Sequence, residues 1–167
     1  MRQVQIKLEK LTAEAFAPYG DVIQTGANNT VLPINYGMTE RHHKLATPDV
    51  ADRGGQSIIS LFRTQAITLP FDIKLMERHP LGSQAFVMTT DNPYVVVVAD
   101  AGEFDLANLR AFYADPRQGV NYHKGTWHHY CLGLNEVNEF LVVDRGGEGD
   151  NCDEIHMDDG LRIVVDF

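Results

Sequence analysis

The chain has 167 residues, of which 44% are hydrophobic and 22% charged, and its formal net charge is -9 with seven histidines taken as neutral. Such a chain suits one soluble domain, residues 1–167, with a core large enough to shield a small site; collagen-like, disordered and membrane classes are excluded. The acidic balance opposes a nucleic-acid partner, whose phosphates require a basic face, so an anionic ligand would need specific local cations.

In chain order, the opening Met1-Arg2-Gln3-Val4-Gln5-Ile6-Lys7 lacks the apolar core of a signal peptide, and a cytoplasmic location is expected. Residues 12–20 read as a short helix with Thr12 as N-cap and Pro18 and Gly20 as its stop. Beyond it the apolar segments are short, rich in β-branched and aromatic residues, and punctuated by Gly, Pro, Asn and Asp. They cover residues 21–23, 57–62, 73–76, 94–99, 140–143 and 163–167, and predict strands. Residues 25–35 and 145–151 are polar and glycine-rich and read as loops, and helical periodicity recurs only at residues 106–109. The run Tyr94-Val95-Val96-Val97-Val98-Ala99 lacks polar alternation, which predicts a strand buried on both faces; it is too short to span a bilayer. Many short strands in one medium-sized chain favour an all-β sandwich or closed jelly roll. Cys131 and Cys152 read as separate reduced thiols.

Chemistry concentrates in two stretches, residues 77–86 and 123–129. Strand alternation puts Glu77 and His79 on one face and Arg78 on the other, while Gln84 returns to the first face after the turn at Gly82. His128 would join them from a distant part of the chain. Imidazoles shuttle protons near neutral pH or ligate transition metals. Glu77 can serve as base, as metal ligand, or as a buried partner that orients a histidine. Gln84 can contact a substrate oxygen or ligate a metal weakly. His129 should face the opposite way and be structural. His123, just before the Lys124-Gly125 turn, stands either at the pocket mouth or in solvent, and Lys124 has the same two readings. Arg63 ends the strand at residues 57–62, where it either clamps a substrate carboxylate or pairs with a neighbouring acid. No Gly-x-Ser-x-Gly elbow, phosphate loop, dinucleotide glycine motif or Cys-x-x-Cys clip is present, so no nucleotide or organic cofactor is expected.

These residues resemble the ureidoglycolate lyase family of the cupin superfamily. The resemblance is carried by Tyr19-Gly20-Asp21-Val22-Ile23, Glu40-Arg41-His42, residues 77–86, Arg110-Ala111-Phe112, residues 118–123, Trp127-His128-His129, Asp144-Arg145-Gly146-Gly147 and Asn151-Cys152-Asp153. It implies a cupin-type double-stranded β-helix (jelly-roll barrel) with a short N-terminal helix. It also implies a homodimer, and cleavage of (S)-ureidoglycolate to glyoxylate and urea in the allantoin branch of purine degradation. Cupins carry His-x-His, a following Glu and a distant His; here Glu77, His79, Gln84 and His128 occupy those places, so two of the four ligands depart from the usual set. The expected catalytic residues are His79, His128 and Glu77, and the expected substrate contacts are Arg63, Gln84, His123 and Lys124. A divalent metal on Glu77, His79, Gln84 and His128 is the open cofactor question, with nickel favoured over manganese or zinc. The competing reading is a non-enzymatic cupin that binds or senses a small anionic metabolite.

Overall fold

The structure, a computed structural model, describes residues 2–26, 28–158 and 161–167. The chain opens with β1 (Arg2–Lys10), a one-turn helix α1 (Ala13–Phe16) and β2 (Gly20–Ile23). A hairpin of β3 (Thr30–Ile34) and β4 (Thr39–His43) follows, then the long β5 (Gln56–Thr64) and the short β6 (Phe71–Ile73) and β7 (Leu75–Arg78). The centre of the fold is made by β8 (Gln84–Met88), β9 (Tyr94–Ala99), β10 (Arg110–Ala114) and β11 (Gly119–Tyr122). The last strands are β12 (Trp127–His128), β13 (Leu132–Gly133), β14 (Asn138–Gly146), β15 (Asp153–His156) and β16 (Leu161–Asp166).

Two curled sheets face one another in an all-β arrangement. The larger runs β15-β7-β12-β9-β10-β1-β16-β6, with β13 also on β9, and the smaller runs β2-β11-β8-β14-β5. Their inner faces meet in a core of Phe86, Val120, Tyr122, Phe140 and Val142 from the smaller sheet against Tyr94, Val96, Val98 and Phe112 from the larger. The other face of β9 supplies Val95, Val97 and Ala99 to a second core, closed by Ile73, Ile163 and Val165 as the larger sheet curls back. The unbroken valine run therefore has a physical cause: every residue of β9 is buried. Helix α1 plugs one end, with the Thr12 hydroxyl accepting from Ala15 N at 3.1 Å and the Phe16 ring packed edge-on against Phe112.

Several sequence expectations change. Residues 30–34, read as part of a loop, form β3, which among the described residues pairs only with β4 and leaves its apolar residues Val31, Leu32 and Ile34 exposed. The amphipathic β1 escaped notice because its apolar positions, Val4, Ile6 and Leu8, are few; it pairs in parallel with both β10 and β16. The strand expected at residues 57–62 extends to Gln56–Thr64 and is an edge strand whose Ile59 and Leu61 are 72% and 62% exposed. Residues 73–76 divide at Lys74 into β6 and β7, and residues 106–108 form a single 3-10 turn. Cys131 is buried and Cys152 exposed, and both are free.

Phe140 is fully buried, with the Tyr94 and Phe86 rings edge-on at 5.1 and 5.8 Å. Phe140→Ala should cost about 3–5 kcal/mol, because it deletes a ring that bridges both sheets and leaves a cavity. Urea unfolding checks this; a loss below about 1 kcal/mol would mean that the sheets repack around the gap.

Candidate active site

One wall of the site comes from the larger sheet. Pleating turns Arg78 outward, where its Nε meets Asp153 at 2.8 Å and its guanidinium lies 4.6 Å over the Trp127 ring. Glu77 turns inward, opposite His128 in the β7–β12 register and opposite Glu154 in the β7–β15 register. His79 follows the end of β7. Glu77 Oε1 stands 3.9 Å from both His79 Nε2 and His128 Nδ1, and one ligand atom from each of the three residues falls within a 4.8 Å group. His79 Nδ1 lies 2.7 Å from the Asn151 carbonyl and His128 Nδ1 lies 3.2 Å from the His129 carbonyl. A carbonyl only accepts, so each Nδ1 carries the proton and each neutral ring keeps its lone pair on Nε2. Both Nε2 atoms are buried without a hydrogen-bond partner.

Burial governs the protonation of this wall. His128 is 1% exposed, and its desolvation, aided by nearby His79, lowers its pKa to about 3. Burial also raises the Glu77 pKa above the usual glutamate value; His79 and a bond from Cys152 oppose the rise, and Glu154 adds to it. The cluster therefore holds a neutral imidazole base beside a carboxyl group that keeps a proton more readily than an exposed glutamate.

The facing wall belongs to the smaller sheet. Tyr122 and Gln84 are partners in the β11–β8 register, and the β14–β8 pairs Val142–Phe86 and Val143–Ala85 lead on to Asp144 and Gln84. Gln84 Nε2 donates to Asp144 Oδ2 at 3.0 Å. The Tyr122 ring stacks flat on His128, with centroids 4.1 Å apart and planes 4° apart, and so joins the two walls. Tyr122 in turn sits 4.0 Å by its hydroxyl from Cys131 Sγ, whose pKa burial pushes up to about 12.

The remaining expected residues lie around the rim or beyond it. His123 Nε2 is 3.1 Å from Asp21 Oδ2, and Lys124 Nζ pairs with Asp52 at 2.7 Å and Asp49 at 3.4 Å. Their turn touches the cluster through its backbone, Gly125 N donating to the His79 carbonyl at 3.0 Å. Arg63 is not brought to the cluster. It pairs with Glu139 at 3.1 Å with its side chain 73% exposed, and β14 faces it five residues before Asp144. That offset is about 17 Å along a strand. His129 faces away from the cluster, against Phe71, and burial lowers its pKa to about 4. Tyr122, Asp144 and Asn151 were not singled out in the sequence as site residues. The alternation Phe140, Val142, Asp144 was the available signal for Asp144, since all three share one face of β14.

The donors suit a transition-metal ion. A carboxylate and two imidazoles lie within 4.8 Å of one another, and each imidazole gives its Nδ1 proton to a backbone carbonyl, which orients a ligating ring. Gln84 Oε1, also buried and without a partner, remains on the facing wall.

Facing curled sheets with a carboxylate and two imidazoles gathered at their interface define an all-β protein with a shielded acid–base site. Comparison with known proteins narrows the class. The family profile described as ureidoglycolate lyase matches residues 3–164. A protein of Burkholderia mallei (strain NCTC 10229) named ureidoglycolate lyase is 54% identical over 162 residues, covering 96% of this chain and 94% of its own length. A Pseudomonas aeruginosa (strain LESB58) protein of the same name is 48% identical over 162 residues, covering 96% and 95%. Among solved structures, RmlC from Streptococcus suis in complex with dTDP-D-xylose is similar with a TM-score of 0.43 and 12% identity, covering 72% of this chain and 63% of its own. The chain belongs to the ureidoglycolate lyase family.

The two depressed histidines set a pH dependence of stability. The unfolded chain takes up protons near the ordinary histidine value of about 6.5, whereas folded His128 and His129 resist them down to about 3 and about 4. Unfolding therefore binds protons below about pH 6.5, and stability should be level above that point and decline progressively toward pH 4. Urea unfolding at pH 7.5, 6 and 5 reads this directly; a flat profile would mean that neither ring is held neutral by burial.

Proposed function

We propose that the protein cleaves (S)-ureidoglycolate to glyoxylate and urea by acid–base assisted elimination. The observation that carries the reading is the trio of Glu77, His79 and His128, with two unpartnered Nε2 atoms and a carboxyl group 3.9 Å from both rings. The substrate carbon bears a hydroxyl, a carboxylate and the ureido nitrogen. Elimination removes the hydroxyl proton, forms the glyoxylate carbonyl, breaks the carbon–nitrogen bond and returns a proton to the departing urea. His128 Nε2 accepts the hydroxyl proton, since burial keeps the ring neutral at working pH. Glu77, 3.9 Å from both rings, relays that proton toward the departing nitrogen, which His79, fixed by Asn151, assists. Arg63 takes no part, being engaged with Glu139 at the sheet edge.

As an alternative to this proton transfer, Glu77, His79 and His128 would hold a divalent ion, with nickel favoured over manganese or zinc, since a lone pair bound to an ion accepts no proton. Such an ion would neutralise the substrate carboxylate and polarise the hydroxyl. Lys124 acts at the rim by pinning the segment that contains Asp49 and Asp52. The reaction is assigned to purine degradation in the cytoplasm, in keeping with the family name and with two unpaired thiols. A purely sensing role is not favoured, because the family and the relatives quoted above all bear the lyase name.

The working form is a homodimer. The long edge strand β5 exposes Ile58, Ile59, Leu61 and Phe62, and the β3–β4 hairpin exposes Val31, Leu32, Ile34 and Met38. Edges and apolar patches of this kind invite a second chain. Sedimentation should return twice the 18.7 kDa chain mass, and a monomer would leave these surfaces without an occupant.

Metal-stripped protein incubated with racemic ureidoglycolate, with and without nickel or manganese, tests the reaction. Urea and glyoxylate should appear in equal amounts and faster than the spontaneous breakdown. His128→Ala should lose about 100- to 10,000-fold in kcat with the fold retained. Near-normal turnover by this variant would remove His128 from the mechanism, and no acceleration in any arm would refute the lyase reading.

A further inference from the structure

The elimination chemistry leaves two atoms of the site unused. Gln84 Oε1 and Asp144 Oδ1 are both buried, and neither has a hydrogen-bond partner. They belong to cross-strand neighbours on the inner faces of β8 and β14, next in line after the Ala85–Val143 pair. The bond from Gln84 Nε2 to Asp144 Oδ2, 3.0 Å long, sets the amide's orientation. A carboxylate only accepts, so the amide must present its nitrogen to Asp144 and keep its oxygen free. The outcome is two unpartnered acceptors on side chains already linked by one hydrogen bond. Asp144 stands outside the trio of ligand atoms grouped within 4.8 Å, so its free oxygen is not accounted for by a cation held there.

We propose that Asp144 and Gln84 form the subsite that reads the ureido end of the substrate, accepting hydrogen bonds from its N–H groups. The inference rests on the reading that the substrate is ureidoglycolate. A ureido group presents N–H bonds from both of its nitrogens along one edge, and the two free oxygens can each accept from one of them. The same pair repels a carboxylate. The substrate is therefore oriented with its nitrogens toward the smaller sheet and its hydroxyl toward the imidazoles. Tyr122 puts the two ends within one site, being the register partner of Gln84 and stacked on His128. Asp144 is thus a specificity-determining residue that acts both directly and by fixing the presentation of Gln84.

A pair of unreactive ligands isolates this contact. N-carbamoylglycine keeps the ureido group but lacks the hydroxyl needed for elimination, and N-acetylglycine replaces its terminal NH2 with a methyl of similar size. By calorimetry the wild-type protein should bind N-carbamoylglycine about 10- to 100-fold more tightly, the value of one hydrogen bond to a charged acceptor. Asp144→Asn retains an oxygen for Gln84 Nε2 but turns a donor toward the ureido nitrogen. It should weaken N-carbamoylglycine by about the same factor and leave N-acetylglycine within about twofold, narrowing the preference. Equal affinities in the wild type, or parallel losses for both ligands in the variant, would overturn the proposal. The wild-type comparison decides the matter even where the variant does not fold. Turnover of ureidoglycolate by the same preparation reports separately on the lyase reading: selective binding without turnover sinks the reaction and keeps the subsite, whereas turnover without selectivity does the reverse.

Discussion

The stacking of His128 on Tyr122 is the contact on which the rest of the site depends. His128 belongs to a two-residue strand, pinned between β9 on one side and Glu77 of β7 on the other. Tyr122 belongs to the opposite sheet. Rings 4.1 Å apart and nearly parallel can form only when both sheets keep their curvature and register. Slipping either strand by one residue would turn its ring to the other face and dismantle the wall. The same stack removes water from His128, which keeps the imidazole neutral.

Desolvation then shapes every other protonation state in the cluster. It lowers His128 and raises Glu77, so burial favours the uncharged form of both groups. The backbone carbonyls of Asn151 and His129 choose the tautomers, which leaves both Nε2 atoms without protein partners. Each buried polar atom left unpaired costs about 1–3 kcal/mol. Four such atoms, His79 Nε2, His128 Nε2, Gln84 Oε1 and Asp144 Oδ1, lie on the two walls of this site, an arrangement that a ligand with matching groups would relieve. The hydrophobic cores on both faces of β9 support that local cost.

The wall on the larger sheet was legible in the sequence because strand parity is a short-range rule. Glu77 and His79 share a face and Arg78 does not, whatever the rest of the chain does. His128 could be paired with them only through resemblance, since forty-nine positions separate it from His79 and no local rule spans that gap. Arg63 shows the limit: a cation at the end of an apolar strand can clamp a ligand or meet an acid, and the choice depends on whether the strand lies inside or at the edge. Here β5 is an edge strand, and Glu139 faces Arg63 across β14. Asp144 was given no place in the site because its parity with Phe140 and Val142 has meaning only once those residues are known to point inward.

The sequence by itself determined an all-β chain with a capped N-terminal turn, a central strand buried on both faces, and a carboxylate and imidazole motif on one side of β7. These follow from composition, period and capping chemistry, which act over a few residues. Tertiary structure alone decided which strands meet, and hence that Tyr122 covers His128, that Gln84 is oriented by Asp144, and that Lys124 is tied to Asp49 and Asp52 at the rim. Each of those contacts joins segments from different strands or loops, and its existence rests on sheet curvature and burial that no local pattern encodes.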